Sequence, residues 1–427
     1  MKRVREYLRR ELEIVLRSLM SEQSAVFIGP TDARLDGCSM TRADDLRGRL
    51  TAIDAEAPRS VVLLHGLDVV DDVYEALEGV AESWRAESRI VSVSYNRLWR
   101  PFIGATRLLS QSDKSAENWI QPEEIRNLLE QSGFEVVSGR SAVLLPLPIP
   151  ILGRWVNRWC AQIPFLRSLA IFNVVVARPA RRRPIENPKV SVVVAARNEE
   201  GNIAELVRRL PRLAERQELV FVEGGSTDGT WDAIQLVQKE RSSPECEIKS
   251  YRQTGKGKGD AVRLGFAEAT GDIFVILDAD LSVRPEELPR FVDLLRSGIC
   301  EFANGSRLVY PMQRHAMQFL NIVGNRFFGL AFSYLLGQPV RDTLCGTKVL
   351  WATDYRRIAG GRAYFGEFDP FGDFDLLFGA ARMQLRIRDV PVHYMERTYG
   401  STNISRFRHG LMLLRMTVFA ARKLRFV

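Results

Sequence analysis

The stretch that decides the fold is GDIFVILDAD, residues 271–280. Ile273, Phe274, Val275, Ile276 and Leu277 run without a polar break, the pattern of a strand buried on both faces. They pass directly into Asp278-Ala279-Asp280. A doubly wound sheet binds its ligands beyond the carboxyl ends of its strands. Two carboxylates one residue apart at such an end can share a hard divalent cation with the oxygens of a diphosphate. The alternative is a helix cap, since Asp280 precedes Leu-Ser-Val-Arg-Pro-Glu-Glu, which opens the next helix.

Working outward, the pattern alternates. Strands are expected at 189–195, 218–222 and 248–251, and helices at 202–216, 230–238 and 258–269. Polar, glycine-containing turns follow these strands. The first is Ala195-Ala196-Arg197-Asn198-Glu199-Glu200-Gly201 and the second is Glu223-Gly224-Gly225-Ser226-Thr227-Asp228-Gly229-Thr230. Glycines let backbone approach a ligand, and Ser226, Thr227 and Asp228 can cap the following helix. Gly255-Lys256-Gly257-Lys258-Gly259-Asp260 sets two lysines in a turn at a helix start, suited to a phosphate or nucleoside, or serving as an ordinary turn. Downstream, a strand expected at 300–303 leads to Asn304-Gly305-Ser306-Arg307, followed by Arg314 and Asn325-Arg326. Further on lie Asp342-Thr343-Leu344-Cys345-Gly346-Thr347-Lys348 and Phe371-Gly372-Asp373-Phe374-Asp375-Leu376. Cys345 has no histidine near it in sequence and reads as a packed thiol. Arg314 reads as part of a solvated basic face, and either aspartate of the 371–376 stretch can be a helix cap.

In order and spacing, these segments resemble the family-2 glycosyltransferases of the GT-A fold, and most of all the polyprenyl-phosphate sugar synthases, over about residues 189–427. The resemblance implies an α/β nucleotide-diphospho-sugar transferase. It implies Mg²⁺ or Mn²⁺ on Asp278 and Asp280. It implies a nucleotide-sugar site of Ala196, Arg197, Asn198, Glu199, Glu223, Gly224, Ser226, Lys258, Asp278, Ala279 and Asp280. Glu223 matches the first acid of the family's acidic pair, and Gly224 replaces the second. Arg307, Asn325 and Gly346 match the acceptor side, and Asp373, with Asp375 as the alternative, matches the acid that approaches the acceptor. Inversion requires an acceptor oxygen on the face opposite the leaving diphosphate. A hydroxyl acceptor would need a general base, whereas a phosphate is already anionic near neutral pH. The expected acceptor is a polyprenyl phosphate, the alternative a saccharide or other hydroxyl compound.

The first half also alternates. Strands are expected at 60–64, 89–94 and 134–137, and helices at 70–84 and 122–132, an α/β arrangement with a mostly parallel sheet. His65-Gly66-Leu67-Asp68 after the first strand, and the 118–137 stretch, resemble class I S-adenosylmethionine methyltransferases over about residues 20–180. The glycine-rich cofactor turn of that family is replaced by Gly29-Pro30-Thr31-Asp32. The domain is therefore read as degenerate, S-adenosylmethionine is not expected as a cofactor, and a bifunctional methyltransferase–glycosyltransferase is the competing reading. The expected organisation is two Rossmann-like α/β domains: residues 1–180, a linker 181–188 rich in Pro and Arg, a catalytic domain 189–403, and a basic amphipathic helix 404–427.

Bulk properties bound these readings. The chain has 427 residues, 26% charged and 46% hydrophobic, enough for two cores. A formal charge of +8 suits anionic ligands or an anionic membrane surface, and no nucleic-acid motif accompanies it. The five cysteines are dispersed with no C-x-x-C pair, which points to reduced thiols and the cytoplasm. The basic N-terminus reads as an amphipathic helix, and no run of ~18 apolar residues is present to span a bilayer. The expected location is cytoplasmic, peripheral on the membrane. The 404–427 tail would lie at the interface of an anionic bilayer or dock on the catalytic domain.

Overall fold

The computed structural model describes all residues except 1, 21–24, 29–42, 54–59, 104–117, 182, 184, 311–318, 365–371, 396–398, 400–405 and 427. The chain divides into two compact units. The first comprises Met1–Arg183 with Arg382–Gln384 and Arg422–Val427, and the second comprises Pro184–Ala381 with Leu385–Ala421.

In the first unit five strands form one sheet: β1 (Ala25–Ile28), β2 (Ser60–Leu64), β3 (Arg89–Tyr95), β4 (Phe134–Ala142) and β5 (Phe172–Pro179), in the order β1-β2-β3-β5-β4. β1, β2 and β3 are parallel, and β5 is inserted antiparallel between β3 and β4. Helix Lys2–Leu19 lays Leu12, Leu16 and Leu19, at four- and three-residue spacing, on Val62, Val91 and Val93 of one sheet face. Ile125 and Leu129 of helix Pro122–Gln131 cover the other face. The helix expected at 70–84 is two short helices, Val73–Leu77 and Val80–Ser83, because Gly79 between them takes a left-handed φ of 73°. Gly29, Pro30, Thr31 and Asp32, the replaced cofactor turn, lie outside the described residues.

The second unit holds a seven-stranded sheet: β6 (Val190–Ala196), β7 (Gln217–Glu223), β8 (Cys246–Arg252), β9 (Ile273–Ile276), β10 (Phe302–Ser306), β11 (Lys348–Trp351) and β12 (Ile387–Pro391). Their order is β12-β10-β11-β9-β6-β7-β8, with β11 antiparallel to both neighbours and the other pairs parallel. Val192, Val194, Leu219, Phe221, Val275 and Leu277 anchor its core. The helix expected at 202–216 is Glu200–Arg209, because Pro211 drives Leu210 into extended backbone. The strand expected at 300–303 is Phe302–Ser306, which sets Arg307 directly beyond its end. Among the described residues, no helix is long and apolar enough to cross a membrane.

Candidate functional site

β9 is the hub. It lies between β6 and β11, and its register with them carries Leu277 N–H to Val193 O at 3.1 Å before the chain turns into Asp278. The Lys258 ammonium, from the first residue of helix Lys258–Glu268, donates to Asp278 Oδ1. Lys348, at the start of β11 opposite Ile276, is fully buried and donates to Cys345 O. Burial works against the Asp278 charge, but Lys258, then Lys348 and Arg307, outweigh it and hold the carboxyl below its ordinary range. Asp280 is buried, and its Oδ1 accepts from the Ser282 N–H at 2.9 Å. Asp280 thus closes the local turn, while Asp278 pairs with Lys258.

Gly346 closes the back of this centre. A Cβ there would overlap Asp278 Oδ2 and Lys258 Nζ, so glycine lets the 342–348 loop approach without displacing that pair. Gly372, with φ 73°, packs its Cα side on Gly259, where a Cβ would sit 2.8 Å from the Gly259 Cα. The helix Asp373–Arg382 thus starts beside the Lys258 turn. Asp375 is buried and takes an ion pair from Arg362 Nε at 2.6 Å. Asp373 is the first residue of that helix. Arg314 and Phe371 lie outside the described residues.

The turns after β6 and β7 are knitted into one surface. Gly224 N–H donates to Ala196 O at 2.9 Å, Asn198 N–H to Ser226 Oγ at 3.0 Å, and Thr227 N–H to Asn198 Oδ1 at 2.8 Å. Asn198 takes a left-handed φ of 57° to make these bonds. Glu223 is buried, and its Oε1 accepts from the Ser226 N–H, so it shapes its own loop. Glu199 Oε2 accepts from Asn202 Nδ2 at 2.6 Å, and Arg197 is exposed at the rim. The structure thus brings Ala196, Asn198, Gly224 and Ser226 together.

On the opposite side, Arg307 is held by a partner that the sequence reading left without a role. Asp342, fully buried, accepts from Arg307 Nε at 2.7 Å, Nη2 at 2.9 Å and the backbone N–H at 3.0 Å. Asn325 Nδ2 adds a fourth bond to Asp342 at 2.9 Å. Burial opposes the Asp342 charge, but Arg307 and these hydrogen bonds bring its carboxyl down to about 2. The Arg307 guanidinium also sits over the Tyr394 ring, 5.0 Å from its centroid. Around this pair the hydroxyls of Ser306, Thr343 and Thr347 are buried with no protein partner, an arrangement that calls for a polar ligand or water. Cys345 is fully buried, and burial together with the Asp342 charge pushes its thiol up to about 12, so it is inert. Lys348, Asp342 and Tyr394 are the residues that sequence reasoning missed as members of the centre. A lysine placed in an otherwise apolar strand, Lys348-Val-Leu-Trp351, was the signal available for the first.

Residues 191–350 match the family described as Glycosyl transferase family 2. That match falls within the second unit. Two curated relatives align within it. A dolichol-phosphate mannosyltransferase of Pyrococcus furiosus is 38% identical over 124 residues, 28% of this chain and 34% of that protein. An undecaprenyl-phosphate 4-deoxy-4-formamido-L-arabinose transferase of Pseudomonas savastanoi pv. phaseolicola is 31% identical over 157 residues, 35% of this chain and 46% of that protein. The chain thus spans about a third to a half of the length of the curated relatives it matches. Among solved structures, glucosyl-3-phosphoglycerate synthase from Mycobacterium tuberculosis is 20% identical, covering 56% of this chain and 80% of that one, with a TM-score of 0.40.

Proposed function

We propose that the second unit transfers a sugar, with inversion, from a nucleotide-diphosphate donor to a polyprenyl phosphate. The observation that carries this reading is the pairing of Lys258 with Asp278 at the end of the central strand, where the charges of Lys348 and Arg307 also favour the Asp278 carboxylate. Such a centre suits a ligand that brings two or more negative charges. Both curated relatives above are named for lipid-phosphate acceptors, which supports the same acceptor here.

The site fits a divalent cation held with the donor. Asp278 and Asp280 supply two carboxylates, and among the described residues no third His, Cys, Asp or Glu joins them. The diphosphate oxygens and water would complete the coordination of Mg²⁺ or Mn²⁺. When bound, that ion neutralises charge on the departing diphosphate. The chain's own groups do the rest. Lys258 stands where it can pass from Asp278 to a diphosphate oxygen. The loops 196–199 and 223–226 form the nucleoside wall. As the anomeric carbon–oxygen bond to the diphosphate breaks, an acceptor oxygen forms the new bond from the opposite face. Arg307, pinned by Asp342, presents its remaining Nη1 edge in one orientation, with Ser306, Thr343 and Thr347 as hydroxyl partners for a phosphate. Asp373 orients the acceptor, which needs no deprotonation if it is a phosphate.

A lipid route is supported by exposed apolar residues. Phe327 and Leu330 are 57% and 75% exposed on helix Phe319–Leu336, and Leu411, Leu414 and Val418 are about half exposed on helix Arg406–Ala420, whose Leu413, Met416 and Ala420 are buried. This helix therefore docks by one side and offers an apolar stripe on the other, so both readings of the tail apply to it. A cytoplasmic, membrane-peripheral location fits Cys160, Cys246 and Cys345 as thiols outside any disulfide. The first unit is read as a degenerate methyltransferase-like domain without S-adenosylmethionine. The test is transfer from a panel of nucleotide sugars with and without a polyprenyl phosphate. A neutral saccharide that outperforms the lipid phosphate replaces this reading with hydroxyl-acceptor transfer.

A further inference from the structure

One helix of the first unit is built inside out. In helix Leu152–Trp159 the buried positions are Gly153 and Asn157, the smallest and one of the most polar residues it contains. Several of its apolar residues face outward: Ile151 before it is 87% exposed, Leu152 51% and Trp155 56%, while Val156 and Trp159 are half-buried. At 100° per residue, Ile151, Leu152 and Trp155 fall on one arc, and Arg154 and Arg158 border it on one side. The following turn repeats the arrangement, with Phe165 88% and Leu169 48% exposed around the exposed Arg167. Burial normally runs the other way, and apolar patches of this kind on a protein surface mark a binding face.

The patch is held rigidly. Asn157 Oδ1 accepts from the Leu145 N–H at 2.7 Å, and its Nδ2 donates to Leu145 O at 3.1 Å and Tyr7 Oη at 3.0 Å. Gln162 Nε2 donates to Ser141 O at 2.9 Å, Asn96 Nδ2 to Ser168 O at 2.6 Å, and Trp99 Nε1 to Leu169 O at 2.9 Å. The polar residues of the segment thus fasten it from within while its apolar residues stay outside. The charge is one-sided as well: between Glu135 and Glu186 the chain has eight arginines and no acidic residue.

We propose that this face of the first unit, centred on Ile151, Trp155 and Phe165 and edged by Arg154, Arg158 and Arg167, docks on the interface of an anionic lipid bilayer. The apolar side chains enter the acyl boundary, the tryptophan sits at headgroup depth, and the arginines meet lipid phosphates. A protein partner would be expected to answer with acidic and apolar residues, but exposed aromatic and aliphatic side chains beside uniformly arginine charge match a lipid surface better. The surface is separate from the transfer site, so it stands whether or not the acceptor there is a lipid.

The test uses the full chain and sedimentation with phosphatidylcholine vesicles, with and without phosphatidylglycerol. The expected result is binding that rises with phosphatidylglycerol, falls at least about tenfold in Ile151→Ser/Trp155→Ser/Phe165→Ser, and loses its anionic preference in Arg154→Glu/Arg167→Glu. As a milder probe, lipids brominated in the acyl chain should quench the wild-type tryptophan fluorescence, and Trp155→Phe should remove most of that quench. Undiminished vesicle binding by the triple variant, or equal quenching in Trp155→Phe, overturns the proposal. So does a wild type that ignores vesicles but self-associates in ultracentrifugation through the same three residues. Failure of polyprenyl-phosphate transfer, by contrast, would leave these outcomes unmoved and count only against the acceptor reading.

Discussion

The two units place opposite chemistry at the carboxyl ends of similar sheets. In the second, charge gathers there: Asp278 and Asp280 follow the central strand, Lys258 pairs with the first of them, and the charges of Lys348 and Arg307 help to hold its carboxyl low. In the first, aromatic rings fill the same place. His65, immediately after β2, stacks on Tyr95 at the end of β3, with centroids 3.9 Å apart and planes 9° from parallel, and Phe172 lies 5.7 Å from His65. His65 Nδ1 is paired with Asp68 at 3.0 Å, so its polar edge is also engaged. Among the described residues, these strand ends of the first unit present packed rings, whereas those of the second present a lysine–aspartate pair. The difference shows that an α/β sheet supplies only the place for a site. The residues set at its strand ends decide whether that place reacts or is closed.

Predictions follow from this contrast in order of size. Asp280→Asn should lower transfer by about a thousandfold or more while the fold survives, because it removes one of two carboxylates proposed to hold the cation, worth several kcal/mol at the leaving group. Steady-state transfer at matched metal concentration checks this, and near-normal turnover would erase the distinction between the two strand ends. Asp342→Ala should cost about 3–5 kcal/mol of stability, since it strands a buried guanidinium. Denaturant unfolding measures it, and a loss below about 1 kcal/mol would mean that Arg307 finds another partner.

A third prediction separates structural charge from catalytic charge within the second unit. Glu218 is fully buried, and although burial opposes its charge, Ser191, Thr270, Lys189 and Lys249 bring its carboxyl down to about 2. A folded value below the unfolded ~4.3 stabilises the native state above that pH. On acidification this contribution, on the order of 3 kcal/mol, should fade between pH ~4.3 and ~2. Glu218→Gln should lose stability at neutral pH, show a flatter acid-unfolding profile over that window, and keep its transfer chemistry where folded. The smallest effect is expected in the first unit: His65→Phe should cost on the order of 1 kcal/mol from the lost Asp68 bond and leave transfer within about twofold.

Much of this was legible from residues 273–280, because a fully apolar strand that ends in acid leaves little choice of geometry. The Lys258 turn and the loops 196–199 and 223–226 were legible for the same reason, each lying directly beyond a strand. The Arg307–Asp342 pair was not: the partners are 35 residues apart, with no period to link them. Lys348 was hidden because one charge in an apolar strand reads as an edge, and only the antiparallel placement of β11 beside β9 carries it to Asp278. The break at Gly79 escaped because periodicity continues across it, while the backbone does not. The inverted helix Leu152–Trp159 escaped because its periodicity is strong, and periodicity does not say which face is inside.

The central claim is that the charged strand end of the second unit transfers sugar to a lipid phosphate with a divalent cation. It is tested most directly by incubating the full chain with radiolabelled nucleotide sugars and a polyprenyl phosphate, with Mg²⁺ or Mn²⁺ and again with chelator. The account predicts label in the lipid phase with at least one donor, lost on chelation and in Asp280→Asn. Metal-independent transfer, or label passed only to a neutral saccharide, would contradict it.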